Sequence, residues 1–293
     1  MKFNTIENKI FDFLIGENTK SFIEKTILYI SILGFLVHLL LIYLFQSNIL
    51  VIDDPYNLLS SPISSIYTPF SFILIYEIYQ LIYYLPRSIS VYISKQYEII
   101  TLIIIRRIFK DISNLNLNKN LFTSNINEYL FVDLFAAVTL FFLIFLFRLS
   151  FQKKKMESPE TPNLLSFIRV KKWISALLVP VVFILAISHF YGWTIDSLYN
   201  DQVVYLKSLN SIFFDELFQT LILVDVFLLL FSFFNSDRFH NIMRNSGFII
   251  STILIRLSFL TEGLNNVALI IISVLFGLFI QLIFNACEKK NLF

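Results

Sequence analysis

Residues 148–172 read RLSFQKKKMESPETPNLLSFIRVKK, and this stretch decides the fold. It carries Arg148, Lys153, Lys154, Lys155, Arg169, Lys171 and Lys172 against only Glu157 and Glu160. Pro159 and Pro162 keep its middle from forming one long helix, because proline lacks the backbone N–H and clashes with the preceding turn. Long apolar runs lie on both sides of it. A basic loop between apolar spans is held on the cytoplasmic side. The stretch therefore predicts an integral membrane protein in two halves, 26–147 and 173–285, joined by a cytoplasmic linker.

Composition agrees with that class. Hydrophobic residues make up 57% of the 293 residues and charged residues 15%, whereas about 25% charged is usual for a soluble domain. Apolar runs near the length of a membrane span recur along the chain. There are 34 Phe and only 6 Gly, so close small-xxx-small helix packing is expected to be scarce and bulky side chains to fill the contacts. The net charge of +2 gives no case for nucleic acid. The single cysteine, Cys287, forms neither an intrachain disulfide nor a cysteine metal cluster. No cofactor or metal site is expected.

Residues 1–25 mix four lysines with four acids, and their apolar run starts too late for a cleavable leader. Phe3, Ile6, Ile10 and Phe13 fall at helical spacing, so the segment is expected as an amphipathic cytoplasmic helix on the bilayer or on the bundle. Spans are then expected at 26–45, 70–85, 91–110, 130–147, 173–191, 213–234, 248–260 and 267–285, with 286–293 as a cytoplasmic tail. The loop after 45 carries Asp53 and Asp54 without Lys or Arg and reads as external. Residues 91–110 are ambiguous: Lys95, Glu98, Arg106, Arg107 and Lys110 flank a short apolar core, which also suits a helix lying on the inner face. Were it not to cross, the basic linker would be external. Crossing is therefore expected, giving an all-α protein of eight spans with both termini inside.

The halves echo one another. Ile99, Ile100, Thr101 and Leu102 lead on to Arg106, and Ile249, Ile250, Ser251 and Thr252 lead on to Arg256. Each second span holds an acid, Glu77 or Asp225, and each first span a histidine, His38 or His189. Two parallel four-helix repeats would produce this pattern; so would coincidence between Ile-rich spans.

Charge within apolar spans is the main functional signal. An uncompensated charge at mid-membrane costs about 2.5–3.5 kcal/mol on insertion scales. Glu77, Glu98, Arg106, Arg107, Glu216, Asp225 and Arg256 are therefore expected to face one another, water or a cavity. Glu98 and Arg106 stand about 12 Å apart along one helix and do not pair by spacing alone. Glu77 with Arg106 or Arg107 is the expected interhelical pair. Such a pair either locks the bundle or lines an ion path. The arginines do not form the every-third-residue ladder of a voltage sensor.

Tyr76, Tyr79 and Tyr83 share one broad helical face, which either lines a polar conduit or packs the interface belt. His38 and His189 are expected to bond to a neighbour or to relay a proton to Glu77 or Asp225. No phosphate-binding glycine loop and no Ser/His/Asp spacing marks an enzyme. The functional expectation is an ion channel or ion-coupled transporter. A structural or signalling subunit of a membrane complex is the alternative, and a membrane-embedded enzyme a weaker one. Expected partners are membrane lipids, ions, and either further copies of the chain or a membrane-complex subunit. The Ile-, Phe- and Asn-rich composition suits an AT-rich bacterial genome, so a bacterial inner membrane is the expected location.

Overall fold

A computed structural model describes residues 5–49, 59, 61–113, 125–152, 162–199, 206–235, 239–261 and 263–290. All regular structure among them is helical. The helices are α1 (Thr5–Ile15), α2 (Glu17–Gln46), α3 (Tyr67–Tyr84), α4 (Ile89–Ser113), α5 (Asn125–Gln152), α6 (Pro162–Tyr199), α7 (Leu206–Asn235), α8 (Phe239–Ser258) and α9 (Leu264–Lys289), with a 3-10 turn at Pro62–Ile66. Every stretch read as a span is helical over most of its length, with residues 85 and 259–260 lying in turns. Four stretches are long and apolar enough to cross a membrane: Lys9–Gln46, Leu130–Phe151, Glu216–Phe233 and Leu264–Lys289.

The packing is that of a membrane protein, with apolar side chains outside and polar ones within. Along α5, Phe135, Val138, Phe141, Phe142 and Phe145 are exposed, while Ala136, Leu140 and Phe147 are buried. Along α9, Ile272, Phe279 and Ile283 are exposed, while Asn266, Ser273 and Gln281 are buried. Soluble proteins rarely leave such continuous apolar bands in water. A bilayer covers them and drives polar groups inward.

Sequential helices pack in both halves: α2 on α3, α3 on α4 and α4 on α5, then α6 on α7, α7 on α8 and α8 on α9. Contacts of α5 with α9, α4 with α8 and α3 with α6 join the halves. Aromatic rings fill much of the seam, as the composition requires. Phe147 meets Tyr97 edge-on at 5.0 Å and Phe248 at 5.7 Å, joining α5, α4 and α8.

The α8–α9 contact departs from the expected bulky packing. Ser251 on α8 faces Ser273 and Gly277 on α9, four apart, while Gly247, four residues before Ser251, lies against the Ile280 side chain. Ser251 donates to the Ser273 carbonyl at 2.6 Å. A Cβ on Gly277 would strike the Tyr97 hydroxyl, so α4, α8 and α9 meet only because this residue is glycine. Sparse glycine still supplied one small-residue crossing where three helices converge. At the start of α9, Gly263 takes φ 64°, a left-handed conformation that L side chains rarely adopt.

Two helix ends lie beyond the stretches read as spans. The basic linker is helical at both ends, since α5 continues to Gln152 and α6 starts at Pro162. Proline at the first helical position loses only an N–H that has no partner in the helix. Residues 153–161, including Pro159, lie outside the described residues. At the other end, α1 is a separate helix. Gly16 breaks the chain between α1 and α2, where its N–H donates to the Asp12 carbonyl at 3.1 Å and a Cβ would collide with that oxygen. Thr19 adds side-chain bonds to the carbonyls of Asp12 and Phe13. The face of α1 that packs carries Phe11, which is buried against Trp173 of α6 at 5.3 Å; Ile10 and Phe13 stay exposed. Phe3 and the side chain of Ile6 lie outside the described residues.

Candidate charge network in the bundle core

The α7–α8 hairpin is antiparallel, and Asn245 meets Ser232 near its turn. Further from that turn it brings Asp225 against Arg256. Arg256 Nη1 lies 2.7 Å from Asp225 Oδ2, with both side chains almost wholly buried, at 3% and 1% exposure. Tyr92 donates to Asp225 Oδ1 at 2.9 Å, and Thr252 donates to Oδ2 at 3.0 Å. Arg256 Nη2 also donates to Gln96 at 3.3 Å and approaches the Tyr92 hydroxyl at 3.5 Å. Thr252 and Arg256 are four apart on α8, and Tyr92 and Gln96 four apart on α4, so each pair shares a helix face. The carboxylate has partners at both oxygens, as a buried charge needs.

The α3–α4 hairpin repeats the arrangement with a looser fit. It too is antiparallel: Phe109 stacks on Phe70 at 4.5 Å, and Lys95 lies over Tyr84 at 5.2 Å. Glu77 and Arg106 face each other, but their nearest atoms are 3.9 Å apart. That is an ion pair beyond hydrogen-bond distance. Glu77 is buried, and its Oε2 accepts no hydrogen bond from a described residue.

Arg107 turns elsewhere. It forms a forked ion pair with Asp133 on α5 and donates to Asn266 on α9 at 2.9 Å. Asn266 in turn donates to the Ser258 carbonyl at 2.6 Å. Glu98, toward the opposite end of α4, pairs with Arg148 of α5 and with Lys95 at 2.8 Å. Glu98 thus meets an arginine from another helix and a lysine of its own.

Several expected participants stand apart. Glu216 is exposed on α7 and takes no place among the buried charges. Tyr76, Tyr79 and Tyr83 do not turn their hydroxyls into a common conduit. Tyr76 donates to Glu24 at 2.8 Å, Tyr79 donates to the Leu14 carbonyl at 3.0 Å, and Tyr83 accepts from Arg87 at 2.9 Å. They bind α3 to the α1–α2 segment and to the α3–α4 turn. His38 Nδ1 lies 2.5 Å from the Thr68 hydroxyl and joins α2 to α3. The side chain of His189 lies outside the described residues. Among the described residues no group of three or more His, Cys, Asp or Glu could hold a metal ion.

Sequence reasoning passed over Asp133, Tyr92, Gln96, Asn266 and Lys171. Asp133 gave the same signal as Glu77, an acid inside an apolar run, but it lay near the start of that run. Lys171 was counted with the linker charges; it is buried, donates to the Arg87 carbonyl at 3.0 Å and lies over the Phe167 ring. It precedes the span expected at 173–191. Burial lowers its pKa to about 8, against an opposing effect of Asp225. The chain matches no protein-family model, no curated protein and no solved structure.

Proposed function

We propose that this chain moves ions across a membrane, as a channel or an ion-coupled transporter, with Glu77 and Arg106 as its exchanging pair. The observation that carries the reading is the 3.9 Å separation of that pair beside a buried carboxylate oxygen without a hydrogen bond. Such an oxygen has an open position for a proton or a cation, and an apolar setting makes filling it favourable. Asp225 has no such opening. In this account Asp225–Arg256 holds the second half fixed while Glu77–Arg106 exchanges partners.

The proposed topology is eight crossings with both termini cytoplasmic, in a bacterial inner membrane. The course of α4 supports its crossing, because it lies antiparallel to α3 from Lys95 beside Tyr84 to Phe109 beside Phe70. A helix lying flat on the inner face would not follow α3 in this way. An acid on the first helix and an arginine on the second recur in both hairpins, which supports two parallel four-helix repeats.

Purified protein in liposomes tests the class. A channel gives selective current, and a transporter gives saturable, gradient-coupled flux. Absence of flux across a broad ion panel, together with a stoichiometric native partner, overturns the proposal. That result belongs to the second reading, a non-transporting membrane-complex subunit, which the fully partnered Asp225 favours. Topology is read by labelling Glu160→Cys and Asn116→Cys in a Cys287→Ser background. The account expects residue 160 inside and residue 116 outside; external labelling at 160, or internal labelling at 116, contradicts it.

A further inference from the structure

At the end of the bundle where α3 turns into α4, a cleft of about 620 Å³ opens between α2 and that turn. Glu17, Lys20 and Glu24 form one wall, and Tyr83, Tyr84 and Arg87 form the other. Its charge is balanced, with two cations and two carboxylates. The cations are held in place by aromatic rings. Lys20 Nζ lies 5.2 Å and 5.4 Å from the Tyr83 and Tyr84 ring centres and donates to Tyr84 at 3.2 Å. Arg87 lies 5.4 Å from the Tyr83 ring and donates to its hydroxyl. Arg87 and Glu17 stand 3.6 Å apart without closing the cleft.

We infer that this cleft binds the headgroup of a zwitterionic aminophospholipid, a phosphate joined to a primary ammonium. The phosphate meets Lys20 and Arg87, whose N–H groups form charge-assisted bonds to its oxygens. The ammonium meets Glu17 and Glu24. A purely anionic headgroup brings no cation to those carboxylates. A quaternary ammonium has no N–H to donate to them, and the tyrosine faces that would hold it already carry Lys20 and Arg87.

The face of α2 indicates that the ligand comes from the bilayer. Lys20 and Glu24 line the cleft, and the next positions four and eight residues on, Leu28 and Ile32, are both exposed. One helix face thus changes from charged to apolar along its length, in register with a headgroup followed by an acyl chain. Val91, also exposed, flanks the cleft from α4. The inference is independent of whether the chain conducts ions.

Delipidated protein in detergent is offered an equimolar mixture of phosphatidylethanolamine, phosphatidylcholine and phosphatidylglycerol with matched acyl chains, and retained lipid is counted by native mass spectrometry. Phosphatidylethanolamine is expected to be retained about tenfold over each competitor. Lys20→Gln with Arg87→Gln removes that excess, and Glu17→Gln with Glu24→Gln shifts the preference to phosphatidylglycerol. Gln219→Ala, on the exposed side of α7, leaves it unchanged. Equal retention of the three lipids by the unaltered protein overturns the inference without recourse to any variant. So does a preference that survives both double substitutions. Soluble phosphoethanolamine at millimolar concentration is expected not to displace the lipid; displacement would assign the cleft to an aqueous ligand and contradict the bilayer source.

Discussion

Asp225–Arg256 and Glu77–Arg106 occupy corresponding places in two helix hairpins, yet their carboxylates are treated differently. Asp225 is bonded by Tyr92 and Thr252 and lies 2.7 Å from its arginine. Glu77 stands 3.9 Å from its arginine, and Oε2 has no hydrogen bond among the described residues. Burial alone does not distinguish the two acids, since both are buried. The supply of donors does. Tyr92 reaches Asp225 from the first half of the chain, so the second-half pair is completed across the seam between halves. A buried charge with all its partners is a fixed element, and one with an open oxygen is free to change partners.

The largest expected effect is therefore on the fixed pair. Asp225→Ala leaves Arg256 buried without its counter-charge, and such a break costs about 3–5 kcal/mol. Thermal unfolding in detergent should show a large fall in stability or a loss of folded yield. A fall no greater than that of Glu77→Ala would erase the distinction between the pairs.

Asp133→Asn comes next. It weakens a forked, charge-assisted bond to Arg107, which is one-third exposed, so water compensates in part. Hydrogen bonds to charged groups contribute about 1.5–3 kcal/mol, and the lower end is expected here. Stability measured in the same detergent should place this variant between those at Asp225 and Glu77. A loss equal to that of Asp225→Ala would make Asp133 a second lock.

Gly277→Ala probes the seam that completes the fixed pair. The added methyl meets the Tyr97 hydroxyl, and overpacking of this kind costs about 1–3 kcal/mol. Combining it with Tyr97→Phe, which removes the obstructing oxygen, should recover part of the loss. No recovery would mean that the α4–α8–α9 contact is looser than described.

The helices were legible because apolar runs of span length need no knowledge of their neighbours. A helix over 91–110 was legible in its apolar core, whereas its proposed crossing rests on the charge of the linker at 148–172. Glu77 with Arg106 could be anticipated, since each lay inside a span and recurred in the other half. Tyr92 and Gln96 could not, because spacing along one helix does not reveal which distant helix it will meet. The tyrosines teach the same point. Tyr76, Tyr79 and Tyr83 do share a side of α3, but that side faces α1 and α2. A shared face says which residues point together and leaves open what they point toward. Likewise, α1 was expected as an amphipathic helix on the bilayer or on the bundle, and the contact it makes with α6 is through Phe11, outside the stripe of Ile10 and Phe13.

Glu77→Gln should have the smallest effect on stability of these changes, because the pair it breaks is already separated by 3.9 Å and the side-chain volume is kept. Its effect on function should be the largest. The most direct measurement is ion flux into liposomes, normalised to folded and correctly inserted protein, for Glu77→Gln, Arg106→Gln and the double variant across a range of pH. The account predicts that each single change alters the flux or its pH response. The double variant should depart from the sum of the two, as coupled residues do. Unchanged flux and an unchanged pH response in all three variants would contradict the exchanging role of this pair.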